Sequence, residues 1–257
     1  MPAMADPAHV PATLISLRPA AQHDSLRHGA RRLGMDLIAV SPWRLRALED
    51  EATRTALDAA LDAPVVVFTS PMAVRAAVRL WPARAPAAAA ENQWLAVGEG
   101  TALALRRAGV QTVRTPARMD SEGLLALPAL AAAAHVGLVT APGGRGLLAA
   151  ELHRRGTALV RADVYERVPL PLSAALLARL RALHGPTVLA ISSAEALERV
   201  LVQLPEDVLA RWREQPAVVA SARLGELARE HGFVRVVRAE GPRPRQLLAA
   251  ASAAGKG

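Results

Sequence analysis

Short apolar runs alternate with amphipathic segments along the whole chain. Because each run is nearly continuous rather than alternating between apolar and polar residues, the pattern is typical of strands buried on both faces. The segments between the runs carry Ala, Leu, Arg and Glu at the helical period. The sequence therefore predicts an α/β fold in which helices cover parallel sheets. The predicted strands are residues 13–17, 37–40, 65–69, 94–97, 112–115, 136–140, 158–164, 187–192, 217–220 and 234–238.

Four of the predicted helices end in basic residues, followed by a glycine and then a strand. The glycines are Gly34, Gly109, Gly156 and Gly232. This order is typical of helix C-termini, where cations interact favourably with the last carbonyl groups and glycine takes the left-handed conformation. A nucleic-acid surface is the alternative interpretation of the arginines, but they are spread along the chain without interleaved aromatic residues. We therefore expect helix capping and no nucleic-acid partner.

The chain contains an internal repeat. Residues 65–70 align with residues 188–193, which lie 123 positions further on, and Gly34 aligns with Gly156 at a spacing of 122. Self-similarity at a fixed spacing indicates a duplication, and it predicts two similar lobes.

Two proline-containing segments occupy equivalent places in the two copies. They are residues 41–50 and 165–172, and both are predicted to form extended crossings between the lobes. The repeat leaves open whether each lobe is one copy or a mixture of both.

Composition narrows the chemistry that is available. Half of the 257 residues are hydrophobic, and the chain has no Cys, which excludes disulfides, thiolate catalysis and sulfur-ligated zinc. The net charge of +8 favours anionic partners. The single lysine, Lys256, is next to the last residue, where a Schiff-base lysine could not be held in a pocket.

No segment is predicted to cross a membrane. The most apolar stretch, residues 124–139, contains Pro128 and His135 and is shorter than the roughly 20 residues that a span requires. The first residues lack the basic start and apolar run of a signal peptide. We expect a cytoplasmic monomer with no membrane partner.

Small polar residues and glycines follow several predicted strands. Ligands of doubly wound sheets bind outside the carboxyl ends of the strands, where helix N-termini favour anions. Each hydroxyl could instead be a helix N-cap, and that interpretation is favoured for any one of them taken alone. As a set, they predict a cleft that binds carboxylates. These positions are Thr69, Ser70, Gly98, Thr101, Gly143, Gly144, Ser193 and Ser221.

Arg145 and Tyr165 each leave two interpretations open. Arg145 is predicted at a helix start, where a cation requires an anionic partner from either ligand or protein. Tyr165, the one tyrosine, is predicted to end a strand at a crossing, where it either packs or presents its hydroxyl to a cleft.

Common catalytic and cofactor motifs are missing from the sequence. It has neither a GxxxxGK[ST] loop nor a GxGxxG after the first strand, which argues against ATP and NAD. The seven histidines lack metal-ligand spacing, and no GxSxG elbow is present.

In order and spacing, six short motifs resemble those of uroporphyrinogen-III synthases across about residues 13–250. The motifs are Arg18-Pro19, residues 68–74 (FTSPMAV), residues 96–102 (AVGEGTA), residues 121–125 (SEGLL), residues 143–145 (GGR) and residues 164–167 (VYER).

The resemblance implies a fold of two α/β lobes, joined by two extended connections. One lobe would combine residues 1–42 with residues 171–257, and the other would be residues 43–170. The implied substrate is hydroxymethylbilane, which is closed to uroporphyrinogen III with loss of water and inversion of the last ring, and no cofactor or metal is implied.

The resemblance also assigns roles to residues. Tyr165 matches the family's cleft tyrosine and is the catalytic candidate, assisting departure of the hydroxyl group. The implied substrate-binding residues are Arg18, Ser70, Gly98, Thr101, Ser121, Gly144, Arg145, Ser193 and Ser221. The alternative function is a non-catalytic two-lobed module that binds an anionic ligand. The deaminase that builds the same linear tetrapyrrole is excluded, because it requires a cysteine to hold its cofactor.

Overall fold

The chain forms two compact units, each built around a parallel sheet. A computed structural model describes residues 13–80, 92–143 and 146–255. The middle unit is Leu45–Val168, and the outer unit joins the chain up to Arg44 with the chain from Pro169 onward. The predicted α/β class is confirmed.

The helices and strands follow one another as the apolar runs predict, except that each of the two predicted crossings also contains a strand. The first segment contains β1 (Thr13–Ser16), α1 (Asp24–Arg32), β2 (Asp36–Ala39) and β3 (Trp43–Ala47). The middle segment contains α2 (Glu51–Leu61), β4 (Val65–Phe68), α3 (Pro71–Leu80), β5 (Gln93–Ala96), α4 (Glu99–Arg107), β6 (Val113–Arg114), α5 (Ser121–Leu125), α6 (Pro128–Ala131), β7 (His135–Thr140), α7 (Leu147–Arg154) and β8 (Ala158–Asp163). The last segment contains β9 (Tyr165–Pro169), α8 (Ala174–Arg181), β10 (Thr187–Ile191), α9 (Ala194–Leu201), α10 (Glu206–Glu214), β11 (Ala217–Val219), α11 (Ala222–Glu230), β12 (Val236–Arg238) and α12 (Pro244–Ala254).

Among the described residues, the main sheet of each unit has five strands, and all of their pairings are parallel. The outer unit has the strand order β12-β11-β10-β1-β2, and the middle unit has the order β6-β5-β4-β7-β8. Strands β3 and β9 form a separate two-stranded sheet, and the boundaries between the units fall within them. All carboxyl ends in one sheet therefore lie at one edge, where helices begin.

The sheet orders answer the question that the repeat left open. In the middle unit, β4, β5 and β6 come from the first sequence copy, and β7 and β8 come from the second. In the outer unit, β1 and β2 come from the first copy, and β10, β11 and β12 come from the second. Each unit is thus a mixture of both copies.

The central strands are buried on both faces. Along β4, Val66 and Phe68 join a core cluster that contains Leu57, while Val65 and Val67 join a second cluster on the other face. All five residues of β10 are buried as well. This two-sided burial is why these runs are continuously apolar.

Glycine takes the left-handed conformation after four helices, as predicted. The φ angles are 68° at Gly34, 100° at Gly109, 75° at Gly156 and 88° at Gly232. The basic residues before them are therefore in the last turns of helices, where they interact favourably with the helix dipole.

One local prediction is wrong. Tyr165 does not end a strand: β8 ends at Asp163, and Tyr165 is the first residue of β9. The physical reason is a change of pairing partner. The Val164 amide still donates to the Thr140 carbonyl oxygen (3.0 Å), and the chain then pairs with β3.

Candidate functional site

A cavity of about 310 Å³ lies at the carboxyl edge of the middle unit's sheet. It is lined by the residues that follow β4 and β7, by β8 and β9, and by the helices α5 and α7. Leu124, Leu138 and Leu148 give it an apolar part. The polar side chains that line it are Thr69, Ser70, Ser121, Thr140, Arg161, Tyr165 and Arg167.

Tyr165 is held by the core and lines this cavity. Its side chain belongs to the cluster around Phe68 and Val74, and the residue is only 7% exposed. The Ser70 hydroxyl donates to the Tyr165 oxygen at 3.1 Å. Ser70 also caps helix α3, because its oxygen accepts the Ala73 amide at 3.0 Å. The structure thus brings together two predicted site residues that are 95 positions apart.

Two threonines join the neighbouring strand ends. The hydroxyl groups of Thr69 and Thr140 are 2.7 Å apart, and the Thr69 amide donates to the Val139 carbonyl oxygen. Thr140 carried no distinguishing signal in the sequence beyond its place at the end of a predicted strand. The pair fixes the spacing of β4 and β7 at the cavity.

The cavity has a positive lining. Arg161 and Arg167 contribute guanidinium groups, and no Asp or Glu is among the described lining residues. Arg161 donates to the Ala141 carbonyl oxygen and pairs with Asp163, both at 3.0 Å. Glu166, next to Tyr165, is paired with Arg46. Because opposite charges attract and no carboxylate is among the described lining residues, the lining is compatible with an anionic ligand.

The other predicted residues of the middle unit have different surroundings. Ser121 begins α5 and lines the cavity. Gly98 is the N-cap of α4, with extended backbone, and an added Cβ there would lie 3.3 Å from Met119. Thr101 is 2% exposed within α4 and is not among the described lining residues. Gly144 and Arg145 lie outside the described residues.

Arg18 follows β1 at the carboxyl edge of the outer unit's sheet. Its Nη2 donates to the Pro242 carbonyl oxygen at 3.0 Å, while its buried Nε has no hydrogen-bond partner. Burial lowers the pKa of the guanidinium below its ordinary value. An unmet buried donor costs free energy.

Ser193 and Ser221 lie at the same edge of the outer unit. Their hydroxyl oxygens accept the amides of Ala196 and Leu224, each at 3.3 Å, and so cap α9 and α11. The N-cap interpretation is therefore correct for Ser70, Ser193 and Ser221. Capping does not exclude ligand binding, because the backbone amides of the first turn lie beside each serine.

His23 is a buried member of this edge that the sequence did not single out. Its ring nitrogens lie 3.0 Å from the Ser16 hydroxyl and 2.9 Å from the Ser41 hydroxyl. The residue is 3% exposed, and burial lowers its pKa to about 4, with Arg27 and Arg18 adding to the effect. The neutral ring thus joins β1, α1 and the end of β2, beside the segment that carries Arg18.

The part of the chain that the structure describes contains neither a cluster of metal ligands nor a helix that could cross a membrane. Within residues 13–80, 92–143 and 146–255, no group of three or more His, Asp or Glu side chains could hold a metal ion. In that same part of the chain, no helix combines the length and apolarity that crossing a membrane requires.

The fold and the cavity together define a class of protein. The chain is a two-unit α/β protein with a basic, hydroxyl-lined cavity at the carboxyl edge of a parallel sheet, where such folds bind ligands. The sequence pattern of the family described as uroporphyrinogen-III synthase HemD matches residues 24–249. The chain belongs to the uroporphyrinogen-III synthase family, which confirms the resemblance.

Individual proteins agree with this assignment. The uroporphyrinogen-III synthase of Salmonella typhimurium (strain LT2) is 33% identical over 145 residues, covering 55% of this chain and 59% of that protein. The aligned part thus spans about three fifths of the curated relative.

Two solved structures share the fold. A mutant uroporphyrinogen-III synthase from the extremely thermophilic bacterium Thermus thermophilus has a TM-score of 0.64 at 18% identity, covering 93% of this chain and 96% of that chain. The synthetase from Helicobacter pylori 26695 has a TM-score of 0.60 at 16% identity, covering 93% and 97%.

Proposed function

We propose that the chain is a uroporphyrinogen-III synthase, a cyclising lyase of tetrapyrrole and haem biosynthesis. It closes hydroxymethylbilane to uroporphyrinogen III, with loss of water and inversion of ring D, and it needs no cofactor. The observation that carries the proposal is the Tyr165 hydroxyl in a basic cavity, in a member of this family.

The first step is departure of the substrate hydroxyl group. The carbon–oxygen bond breaks with its electron pair going to oxygen, which takes the phenolic proton of Tyr165 and leaves as water. The cation left on the methylene carbon is stabilised by the pyrrole nitrogen of its own ring. Little general acid or base machinery is therefore required, which suits a cavity lined by hydroxyl and guanidinium groups.

The later steps depend on how the substrate is folded. Ring D attacks the cation through its already substituted carbon to give a spiro intermediate, whose fragmentation and reclosure invert the ring. The proton released when that ring regains its aromaticity restores the phenol of Tyr165. Hydroxymethylbilane also closes spontaneously, without inversion of the ring. The main task of the enzyme is therefore to hold the substituted carbon of ring D close to the cationic methylene carbon.

The substrate carboxylates require cationic and amide donors. In the middle unit we assign this role to Arg161 and Arg167, whose guanidinium groups line the cavity. Gly98, Thr101, Ser121, Gly144 and Arg145 remain predicted binding residues there. In the outer unit the role belongs to the unmet Nε donor of Arg18 and to the helix starts at Ser193 and Ser221.

The setting of the enzyme follows from its substrate. We propose a cytoplasmic monomer that takes hydroxymethylbilane as its partner and binds neither nucleic acid nor a membrane. Family membership disfavours the alternative of a non-catalytic anion-binding module.

A product assay tests the proposal. The purified protein is mixed with freshly generated hydroxymethylbilane, and the oxidised products are separated by chromatography into isomers I and III. Uroporphyrinogen III well above the enzyme-free control supports the proposal. A product mixture identical to that control would contradict the proposed synthase activity.

A further inference from the structure

The contacts of Ser70 differ from those expected of a serine whose hydroxyl group binds a substrate carboxylate. Its oxygen accepts the Ala73 amide at the start of α3, and its hydroxyl group donates to the Tyr165 oxygen. The hydroxyl group thus donates one hydrogen bond and accepts another within the protein. A serine in this position can affect the substrate through Tyr165.

The direction of the bond determines what Tyr165 can do. Since Ser70 donates, the phenolic hydrogen is not used between the two residues and remains available to the cavity that both line. When that hydrogen leaves, the Ser70 hydroxyl group is already in place to stabilise the charge on the phenolic oxygen. The Ala73 amide strengthens this donor, because hydrogen bonds in a chain polarise one another.

We propose, resting on the function given above, that Ser70 is a positioning residue for Tyr165. It turns the phenol so that its proton faces the substrate and stabilises the oxygen that the proton leaves. Ser70 then contributes to turnover through Tyr165 rather than by binding a substrate carboxylate.

A double-mutant cycle separates these roles. Ser70→Ala should lower kcat several-fold, by no more than Tyr165→Phe itself does, with KM nearly unchanged, because the phenol loses its orienting donor. In a Tyr165→Phe background the same change should alter kcat less than twofold, because no phenol remains to be oriented. Ser70→Thr, which keeps the hydroxyl group, should restore most of the turnover.

Ser173→Ala is the matched control. Ser173 caps α8 by accepting the Leu176 amide at 3.2 Å, and it is exposed. Both alanine variants lose one serine cap, but only Ser70→Ala removes a bond to Tyr165. Ser173→Ala should therefore keep wild-type kcat.

An independent readout comes from the fact that Tyr165 is the only tyrosine. Protein grown with tyrosine labelled with ¹³C at the carbon bearing the hydroxyl group gives one NMR resonance from the folded chain. Ser70→Ala should shift this resonance in the free protein, and Ser173→Ala should leave it in place. This measurement needs no substrate, so it stands even if the proposed activity fails.

Three results would overturn the proposal. They are an unchanged resonance in Ser70→Ala, an equal loss of kcat with and without the Tyr165 hydroxyl group, or a rise in KM at constant kcat. The last result would make Ser70 a direct ligand of the substrate.

Discussion

The buried neutral His23 predicts that the protein loses stability in mild acid. An unfolded chain protonates this histidine with a pKa near 6.5, while the folded chain holds it neutral down to about 4. A base whose folded pKa is depressed leaves stability unchanged above its unfolded pKa and destabilises the fold as the pH falls below it. The loss therefore begins near pH 6.5 and is complete below about pH 4.

The size of the effect follows from the same two values. Between pH 7 and pH 5, linkage gives a loss of about 2 kcal/mol in the free energy of unfolding, rising toward about 3 kcal/mol at lower pH. The carboxylates with lowered pKa, such as Glu151 at about 2, lose their contribution only below about pH 5. The window from pH 7 to pH 5 therefore isolates histidine titration.

Urea unfolding at pH 7, 6 and 5, followed by circular dichroism, measures this loss in the wild type and in His23→Gln. The variant is expected to be less stable at pH 7, because contacts with Ser16 and Ser41 are lost. Its free energy of unfolding should nevertheless fall by about 2 kcal/mol less than that of the wild type between pH 7 and pH 5. Parallel pH profiles for the two proteins would show that His23 is not held neutral.

Three further predictions concern the site and the packing. Tyr165→Phe should lower kcat several-fold and change stability by less than about 1 kcal/mol, since the ring stays in the core; unchanged formation of uroporphyrinogen III would remove the phenol from the reaction. Arg18→Met should raise KM for hydroxymethylbilane about tenfold with little effect on kcat, because a carboxylate loses a charged donor; an unchanged KM would exclude this contact. Gly137→Ala should cost about 3 kcal/mol or more in urea unfolding, since the new Cβ would lie 1.7 Å from the Ala60 carbonyl oxygen. The control is Gly100→Ala, at an exposed helical position where the new Cβ would lie 3.6 Å from the Pro71 side chain, and it should be neutral or slightly stabilising. Equal effects of the two changes would show that the contact with Ala60 does not determine the cost.

The regular elements were predictable because burial and local geometry dictate them. A strand covered on both faces, such as Val65–Phe68, must be apolar throughout, and a helix that ends before Gly156 needs a residue tolerant of positive φ. The crossing strands β3 and β9 were predicted only as extended segments and not as strands. They carry charged residues, and their pairing partner is more than a hundred positions away in the chain.

From the residues alone, the site was predictable only where a strand end marks it. Ser70 was found because it follows a recognisable strand, whereas Ser121 was assigned only through the family resemblance. Arg161 looks like any exposed charge on a strand, and only the fold shows that it lines a cavity. The bond from Ser70 to Tyr165 joins residues 95 positions apart, and no local pattern encodes it.

The most direct test of ring-inverting synthase activity is the fraction of isomer III as a function of protein concentration. Spontaneous closure and enzymatic closure compete for the same hydroxymethylbilane, so the fraction of uroporphyrinogen III should rise with added protein until it makes up nearly all of the product. An isomer ratio that stays at the protein-free value at every concentration would contradict the assignment of a ring-inverting synthase.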